Sequence, residues 1–453
     1  AAYAGEPPWS ERTIGVSLTF SAARALAERD AEALIARGRD LFTAKFTVLD
    51  GAGRPKATQA IVPTKRKRGE NASFQRTGGP DANACSGCHN DPIPGAAGEF
   101  VANAFVSEGF ESADFDSLDA AFSNERNSNT LTGSGLIELL AREMTADLQA
   151  QRHAALRQAR RSGKPVTVQL ETKGVGYGWL AAGADGVVDL SGLRGVDADL
   201  IVRPFSQKGV FASLRQFTVN ALNVHHGIQA DERFGSRWTG VADFDEDGKT
   251  RELEAGDVSA LVAFQATLPA PHPRTDIGPE WQAAAAEGEA AFTALGCAVC
   301  HRPSLPLKSL RFEDPSPYDG AGTLRPSEVE APIVIDFSTL PWVEHLARNG
   351  KGEVLVPLYG DLKRHVIVDE QVASLGNELM GQRFVERDVF MTAELWGVAS
   401  TAPFGHRGDL GSLDQVIRAH GGEGRAARDA YVTADAQTRS GLIAFLKTFV
   451  IEK

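Results

Sequence analysis

Positive charge is scarce along this sequence, and the shortage excludes one class of partner. Lys and Arg number 47 against 59 Asp and Glu, which gives a formal net charge of -12 at pH 7. Nucleic-acid phosphates require a basic protein surface, so this balance argues against a nucleic-acid partner. The one dense basic run, Lys65 to Arg68, lies beside Gly and Asn and is typical of a solvated loop.

Long apolar runs are also missing. No stretch approaches the roughly 20 apolar residues that span a bilayer, so we expect no transmembrane segment. Hydrophobic residues make up 42% and charged residues 23%, as is typical of a soluble globular protein. With 453 residues the chain exceeds what one core usually supports, so we expect at least two domains. The chain opens at Ala1, which fits a removed signal peptide and equally a trimmed chain.

Cysteine is limited to four residues, and all of them fall in two strings of the form Cys-x-x-Cys-His. The strings are Cys85-Ser86-Gly87-Cys88-His89 and Cys297-Ala298-Val299-Cys300-His301. A zinc site would need both pairs to converge on one metal, and thioredoxin-type chemistry would not need the histidine after each pair. In c-type haem attachment the thiols form thioethers with the haem vinyls, and the histidine binds the iron as proximal ligand.

The sequence therefore predicts two covalently bound haem c groups, with His89 and His301 as proximal ligands. No cysteine is left over for a disulfide. Because haem c is attached after export, we expect a periplasmic or otherwise exported protein.

The two parts of the chain repeat each other. Ala36-x-Gly38-x-x-x-Phe42 recurs as Ala286-x-Gly288-x-x-x-Phe292, ahead of each haem motif. Residues 204–214 align without gaps with residues 403–413, and each copy predicts a helix that opens at a serine. Residues 257–268 and 438–449 also match, with apolar positions at helical spacing. We therefore predict a mainly α fold of two tandem cytochrome c-like haem domains with long loops.

Three prolines between 268 and 273 cannot continue a helix, so the domain boundary is predicted there. We expect an N-terminal haem domain with insertions over residues 1–270, called the first half below. A C-terminal haem domain over residues 278–453 is called the second half. Short β-branched runs broken by glycine predict a small β excursion near residues 165–203 of the first half.

Several further motifs follow one another in a recognisable order. After the first haem motif come Glu125-Arg126-Asn127, Asn223-Val-His-His-Gly227, "DFDEDG" and "ATLPAP"; after the second come Asp361-Leu-Lys-Arg-His365, Leu395-Trp396-Gly397 and "AHGGE". From about residue 30 onward this order resembles the di-haem oxidoreductase family, whose members are assigned as peroxidases. The plan is more distantly similar to bacterial di-haem cytochrome c peroxidases, to the di-haem enzyme that matures methylamine dehydrogenase and to di-haem rubber oxygenases.

In those relatives one haem is the site of peroxide or oxygen chemistry, while the other stores or relays an electron. The resemblance implies an oxidoreductase that takes electrons from a small redox protein or another donor. Its oxidant would be hydrogen peroxide or a similar small molecule.

Sixth ligands decide whether an iron is open to substrate or passes electrons. In di-haem peroxidases a string resembling Pro-Tyr-Phe-His-Asp-Gly precedes the distal methionine of the C-terminal haem by about fourteen residues. Residues 403–408 precede His420 by the same interval, so the resemblance makes His420 the candidate sixth ligand of the second haem. A helix-end histidine that caps carbonyls is the alternative. His365, in the motif Asp361–His365 that contributes to the same resemblance, is the alternative sixth ligand.

In the first half, His225 or His226 should approach its haem by the repeat alignment. Such a histidine either closes the iron or stands off as a general acid-base. The resemblance also implies a catalytic glutamate, for which Glu232 is the candidate; a surface acid is the alternative.

Methionine ligands have few candidates, because only Met144, Met380 and Met391 exist. Met144 lies in a predicted amphipathic helix, where we expect it to fill the hydrophobic core. Trp396, Trp281 or Trp238 would serve as a bridge for electrons between the haems, although a large aromatic is more often simply buried.

A second kind of metal site is predicted by Asp243-x-Asp245-x-Asp247-Gly248, followed by Glu254. This spacing offers oxygen ligands at positions 1, 3, 5 and 12 of a calcium loop, with glycine at the sharp turn. An acidic surface turn is the alternative, and Thr250 and Arg251 fit the pattern less well.

Three functions remain open at this point. The first is a peroxidase-type redox enzyme, the second a pure electron carrier, and the third an oxygen-dependent oxidase or oxygenase of an organic or protein substrate. Long insertions around both haem motifs favour an enzyme, since shaped pockets are built from such loops whereas a carrier needs only about a hundred residues.

Overall fold

The computed structural model describes residues 9–58, 60, 62–66, 82–98, 100–106, 123–320, 322–378 and 382–452. Of the residues considered above, Lys67, Arg68 and Met380 lie outside these ranges. No helix within the ranges combines the length and apolar character needed to cross a bilayer.

Helices provide most of the regular structure in the described ranges. The α-helices are α1 (Phe20–Arg29), α2 (Ala31–Thr43), α3 (Ser134–Ser162), α4 (Leu214–Ala221), α5 (Asp231–Phe234), α6 (Ser236–Thr239), α7 (Ala255–Thr267), α8 (Pro279–Ala294), α9 (Leu413–Arg418), α10 (Arg425–Thr433) and α11 (Ala436–Leu446). Side-chain caps fix several of their starts: Ser213 accepts from the Gln216 N–H before α4, and Ser412 accepts from the Gln415 N–H before α9. The two serine starts predicted by the repeat are therefore confirmed.

Short antiparallel strands connect the helices. They are β1 (Val101–Val106), β2 (Ser123–Asn127), β3 (Val166–Thr172), β4 (Val175–Ala182), β5 (Val188–Asp189), β6 (His272–Pro273), β7 (Leu305–Leu307), β8 (Arg311–Asp314), β9 (Ile333–Asp336), β10 (Val354–Val356), β11 (Arg364–Val366), β12 (Val389–Met391) and β13 (Phe449–Val450). The order β3-β4-β5 forms a three-stranded sheet, and the other strands pair as β1-β2, β6-β13, β7-β10, β8-β9 and β11-β12. The three-stranded sheet lies inside the segment where the sequence predicts a β excursion.

Each half contains the same close helix crossing. In the first half α2 packs on α7, and a Cβ added to Gly38 would lie 1.9 Å from the Ala260 carbonyl oxygen. In the second half α8 packs on α11, and a Cβ at Gly288 would lie 2.0 Å from the Gly441 carbonyl oxygen. Only glycine permits the backbones to approach this closely. The two glycines that the sequence repeat aligns thus have the same structural role.

One hydrophobic core includes residues of both halves. A large cluster takes in α2, α3, α4 and α7 together with second-half residues between Leu305 and Leu362, as well as Trp396. Met144 is fully buried in this cluster, so its core-filling role is confirmed. A smaller cluster around Phe292, Leu442 and Phe445 holds α8 against α11. The boundary near residue 270 stays a prediction.

Two equivalent loops tie the halves together. The Gln207 carbonyl in the first-half loop accepts the Met391 N–H of β12 at 2.9 Å. In the second-half loop, the Pro403 carbonyl accepts from the Asn127 side chain at 2.6 Å, and the His406 carbonyl accepts the Asn127 N–H at 2.9 Å. Each half therefore presents one copy of the repeated loop to the other.

Candidate functional site

Both Cys-x-x-Cys-His strings fold into the same tight turn. Residues Cys85–Gly87 and Cys297–Val299 are single 3₁₀ turns, and the following histidine N–H returns to the first cysteine carbonyl at 3.0 Å in each copy. All four cysteines are free and half-buried. Neither pair is closed as a disulfide, so both thiols of each turn remain available for thioether bonds.

The two proximal histidines are oriented alike. His89 Nδ1 lies 3.3 Å from the Ala96 carbonyl oxygen, and His301 Nδ1 lies 3.2 Å from that of Tyr359. A carbonyl only accepts, so Nδ1 carries the proton and Nε2 keeps its lone pair for a metal. Phe42 and Phe292 flank these histidines at centroid distances of 6.4 and 6.5 Å, both inclined by 52°.

A second imidazole stands opposite His301. The ring centroids of His301 and His420 are 6.3 Å apart, and His420 Nδ1 donates to the Val416 carbonyl at 2.7 Å. Two imidazoles on opposite sides of one metal would have centroids roughly 6 Å apart, because each metal–nitrogen bond is about 2 Å. The spacing would allow His301 and His420 to hold one metal, and it arises because α9 ends at Arg418, two residues before His420.

Burial keeps these imidazoles neutral. It lowers the pKa of His89 and of His420, and burial together with the neighbouring His420 lowers the pKa of His301 to about 4. A neutral imidazole is the form that binds a metal.

His365 has a different environment. Its Nε2 lies 2.9 Å from Asp361 Oδ2, and its Nδ1 lies 2.8 Å from Glu423 Oε2. Burial opposes its charge, but the hydrogen bonds of Asp361 and Cys300 outweigh burial and raise the pKa of His365 to about 10. Both ring nitrogens are engaged by carboxylates, so this arrangement favours an imidazolium beside Cys300 over an iron ligand.

The corresponding segment of the first half is wound differently. After α4 the chain continues into a π-helical turn, Leu222–His226, which Gly227 ends in the left-handed region. His226 is buried; its Nδ1 donates to the Ala82 carbonyl at 2.8 Å, and its Nε2 lies 3.4 Å from Cys85 Sγ. His225 is half-buried on the same turn, and the ring centroids of the two histidines are 6.4 Å apart. His226 therefore contacts the first haem motif directly, through Cys85.

Glu232 lies in a buried ionic network. Its carboxylate accepts from Arg215, which also donates to Asp314 Oδ2 at 2.7 Å, and Glu232 Oε1 takes the Leu324 N–H at 3.3 Å. Glu232 and Arg215 are 5% and 1% exposed. A surface position is thus wrong for Glu232. Its catalytic role stays a prediction, and its contacts favour holding α5 against α4 and the loop after β8.

Trp396 lies between the backbone segments that hold the two proximal histidines. Its indole packs on Gly133, and Leu131, two residues earlier, donates its N–H to the Gly95 carbonyl, next to the Ala96 that binds His89. On its other side, Leu395 donates to the Leu358 carbonyl, next to the Tyr359 that binds His301. Trp281 instead donates to the Ala444 carbonyl, and Trp238 is 43% exposed.

The acidic loop gathers three of its four predicted ligands. Carboxylate oxygens of Asp243, Asp245 and Asp247 lie within 4.8 Å of one another. Glu254 lies outside this group, at the start of α7, where it pairs with Arg251 at 3.4 Å.

The residues present fit haem c at both turns. Free thiols in pairs, a histidine with Nε2 available and, in the second half, an opposing imidazole are the donor set that the group requires. Sequence reasoning missed the partners of these residues, namely Arg215 for Glu232 and the two carboxylates at His365. Asp361 sits four residues before His365 in one motif, and that spacing could have indicated the pair.

No protein-family model and no curated protein matches the chain. Among solved structures, the chain is similar to a MauG-like protein associated with microbial copper homeostasis. The likeness has 17% sequence identity and a TM-score of 0.29, and it covers 60% of this chain and 78% of that chain.

Proposed function

We propose that this protein is a di-haem c-type redox enzyme with peroxidase-type chemistry in the first half and an electron-relaying site in the second. Haem bound at the two Cys-x-x-Cys-His turns would supply one-electron storage and the reduction of hydrogen peroxide or a similar oxidant. The main support for the proposal is that the non-proximal histidines of the two halves are placed differently. His420 faces His301 in the second half, whereas His226 binds the Ala82 carbonyl beside Cys85 in the first.

In the second half, His301 and His420 would hold the group from both sides. Their centroid distance of 6.3 Å and their lowered pKa values support two neutral imidazoles that would both bind the group. A site closed in this way mostly passes electrons. His365 binds Asp361 and Glu423, and these polar groups would contribute to the polarity that tunes such a site.

In the first half, the π-helical turn favours a histidine that takes part in catalysis over one that closes the iron as a ligand. His226 is tied to the Ala82 carbonyl and lies beside Cys85, where it would border the attached group. Half-buried His225 is the better placed to exchange protons with solvent, as a general acid-base must. π-helical turns of this kind are frequent at functional sites.

Electrons would pass between the halves near Trp396. Its contacts with the backbone beside Gly95 and beside Tyr359 support this role, since those segments bind His89 and His301. A small redox protein would deliver the electrons, and the net charge of -12 favours a basic partner.

The repeated crossing of α2 on α7 and of α8 on α11, each with its haem motif next in the chain, supports two tandem cytochrome c-like units. Haem c attachment also implies an exported protein in an oxidising compartment.

The test is an optical and paramagnetic-resonance spectrum of the oxidised and half-reduced protein, before and after hydrogen peroxide. We expect one low-spin and one high-spin ferric signal, with rapid loss of the high-spin signal on peroxide addition. His225→Ala should slow this reaction by about 10²-fold or more, the usual contribution of an acid-base residue. His153→Ala, on the exposed face of α3, is the control. Two low-spin signals that peroxide leaves unchanged would instead identify an electron carrier.

A further inference from the structure

The acidic loop of the first half contains a buried carboxylate, that of Asp245. Asp245 is 0% exposed, and within the described part of the chain neither of its carboxylate oxygens has a hydrogen-bond partner. An isolated buried charge costs several kcal/mol unless it is paired or coordinates a metal. The side chain is therefore in an environment that requires a cation.

The loop arranges two more carboxylates around Asp245. Asp243 accepts the N–H groups of Asp247 at 3.2 Å and of Gly248 at 3.0 Å, and Asp247 accepts the Lys249 N–H at 2.6 Å. Gly248 has a φ of 85°, which makes the sharp turn possible. These bonds hold the acidic oxygens within 4.8 Å of one another although they repel.

Beyond the group of three aspartates, the loop has a further buried carboxylate, Glu252, whose Oε2 accepts the Gln229 N–H, whereas Glu254 pairs with Arg251. Glu252 is 5% exposed, and burial together with repulsion from Asp245, Asp247 and Asp243 raises its pKa well above the usual value. Burial and repulsion from Asp247 and Asp243 likewise raise the pKa of Asp245 to about 7. The nearby lysines do not relieve this charge, because Lys56 and Lys65 both bind Glu246, on the exposed side of the loop.

We propose that Asp243, Asp245, Asp247 and Glu252 form a calcium-binding site. Calcium takes six to eight oxygen ligands at about 2.3–2.6 Å and accepts carboxylates in one- or two-oxygen contacts, which suits a flexible set of four acids. Magnesium requires a smaller, near-octahedral shell and retains its waters, so it fits this set less well.

Hydrogen bonds connect the proposed calcium site to the π-helical turn Leu222–His226 of the first half. Glu252 Oε2 accepts the Gln229 N–H at 2.6 Å, two residues after Gly227. Gly227 in turn accepts the Gly53 N–H at 3.0 Å, and Gly51 packs so closely on Glu252 that a Cβ there would lie 2.3 Å from its Cγ. A cation that fixes Glu252 would therefore fix the end of the turn that carries His225 and His226. The binding site itself does not depend on the redox function proposed above.

Calcium binding to the intact haem-loaded protein tests the inference. After removal of bound metal with a chelator, titration with CaCl₂ in a calorimeter should show one site. The midpoint of thermal unfolding should rise by about 2–5 °C at a hundredfold excess over Kd, because the ligand binds only the folded state.

Five variants, three at proposed ligands and two at matched control positions, locate the ligands. Asp245→Asn and Glu252→Gln should each weaken calcium binding by about tenfold or more, the usual loss when a ligand-shell partner is removed. Glu246→Gln, in the same loop but outside the cluster, and Glu254→Gln should bind as the wild type does. Asp247→Asn, on the half-exposed side, serves as a further ligand variant if Asp245→Asn does not fold.

Opposite results would overturn the assignment. If the wild type shows neither heat of calcium binding nor thermal stabilisation by calcium, the site is excluded. Equal stabilisation by MgCl₂ excludes calcium as its specific ion. Loss of binding in Glu254→Gln with retention in Glu252→Gln would restore the ligand set expected from the loop spacing.

Discussion

His301 and His420 lie with their ring centroids 6.3 Å apart and their planes inclined by 65°, and each donates Nδ1–H to a backbone carbonyl. The two residues are far apart in the chain, yet their free nitrogens converge on one space. His301 is fixed by the turn that starts at Cys297, while His420 is fixed by the end of α9. This placement is consistent with the proposal that His301 and His420 would hold one metal between them.

Replacement of His420 tests this pairing. His420→Met should keep a closed site but raise its reduction potential, because methionine ligation raises the potential relative to histidine. His420→Ala should convert one low-spin ferric signal to high-spin. Paramagnetic resonance and a potentiometric titration measure both changes, with His345→Ala on an exposed loop as control. Unchanged spectra in His420→Ala would mean that His420 is not a ligand.

His365 should make stability depend on pH. With Cys300 as a free thiol its pKa in the folded protein is raised to about 10; with Cys300 bound as a thioether, Asp361 would keep the pKa above the unfolded value of about 6.5. The stabilisation by its charge is therefore complete below about pH 6.5 and is lost as pH rises through the folded pKa. The difference in unfolding free energy between wild type and His365→Gln should shrink steadily across that window. Denaturant titrations from pH 6 to pH 10 measure it, and a difference that grows with pH would show that His365 is neutral in the folded state.

Local patterns were the part of this fold that the sequence could predict. The two serine caps, the α2 and α8 helices and the β3-β4-β5 segment all depend on residues close in the chain. His420 was indicated by the resemblance to di-haem peroxidases, and its role as a ligand stays a prediction; its match to His225 and His226 is shifted where the first half adds a π-helical turn.

Long-range partners could not be predicted in the same way. The carboxylates at His365 and the arginine at Glu232 come from distant positions, and no local spacing records such pairs. The proposed calcium ligand Glu252, in place of Glu254, also depends on the path of the backbone. Position 12 of the loop lies at the start of α7 and faces Arg251, away from the three aspartates.

The glycine crossings should be intolerant of any side chain. In Gly288→Ala the new Cβ would lie 2.0 Å from the Gly441 carbonyl oxygen, so α8 and α11 must separate. Overpacking of this kind costs about 1–3 kcal/mol. Gly350→Ala, in an exposed turn of the same half, meets nothing within 4 Å and is the matched control. Denaturant unfolding should show a loss in Gly288→Ala and none in Gly350→Ala; equal stabilities would contradict the close crossing.

Glu232→Gln should cost more stability than any exposed ion pair in the described part of the chain. The change removes one of the two buried carboxylates that pair with Arg215, which keeps Asp314, and the loss of such charged hydrogen bonds typically costs about 1.5–3 kcal/mol. Glu328→Gln, which breaks a partly exposed pair with Arg237, is the control and should cost about 0–1 kcal/mol. Denaturant unfolding compares the two, and peroxide turnover per folded molecule adds the catalytic readout. If Glu232→Gln keeps its stability but loses turnover by about 10²-fold, Glu232 acts as a general base and not as the partner of Arg215.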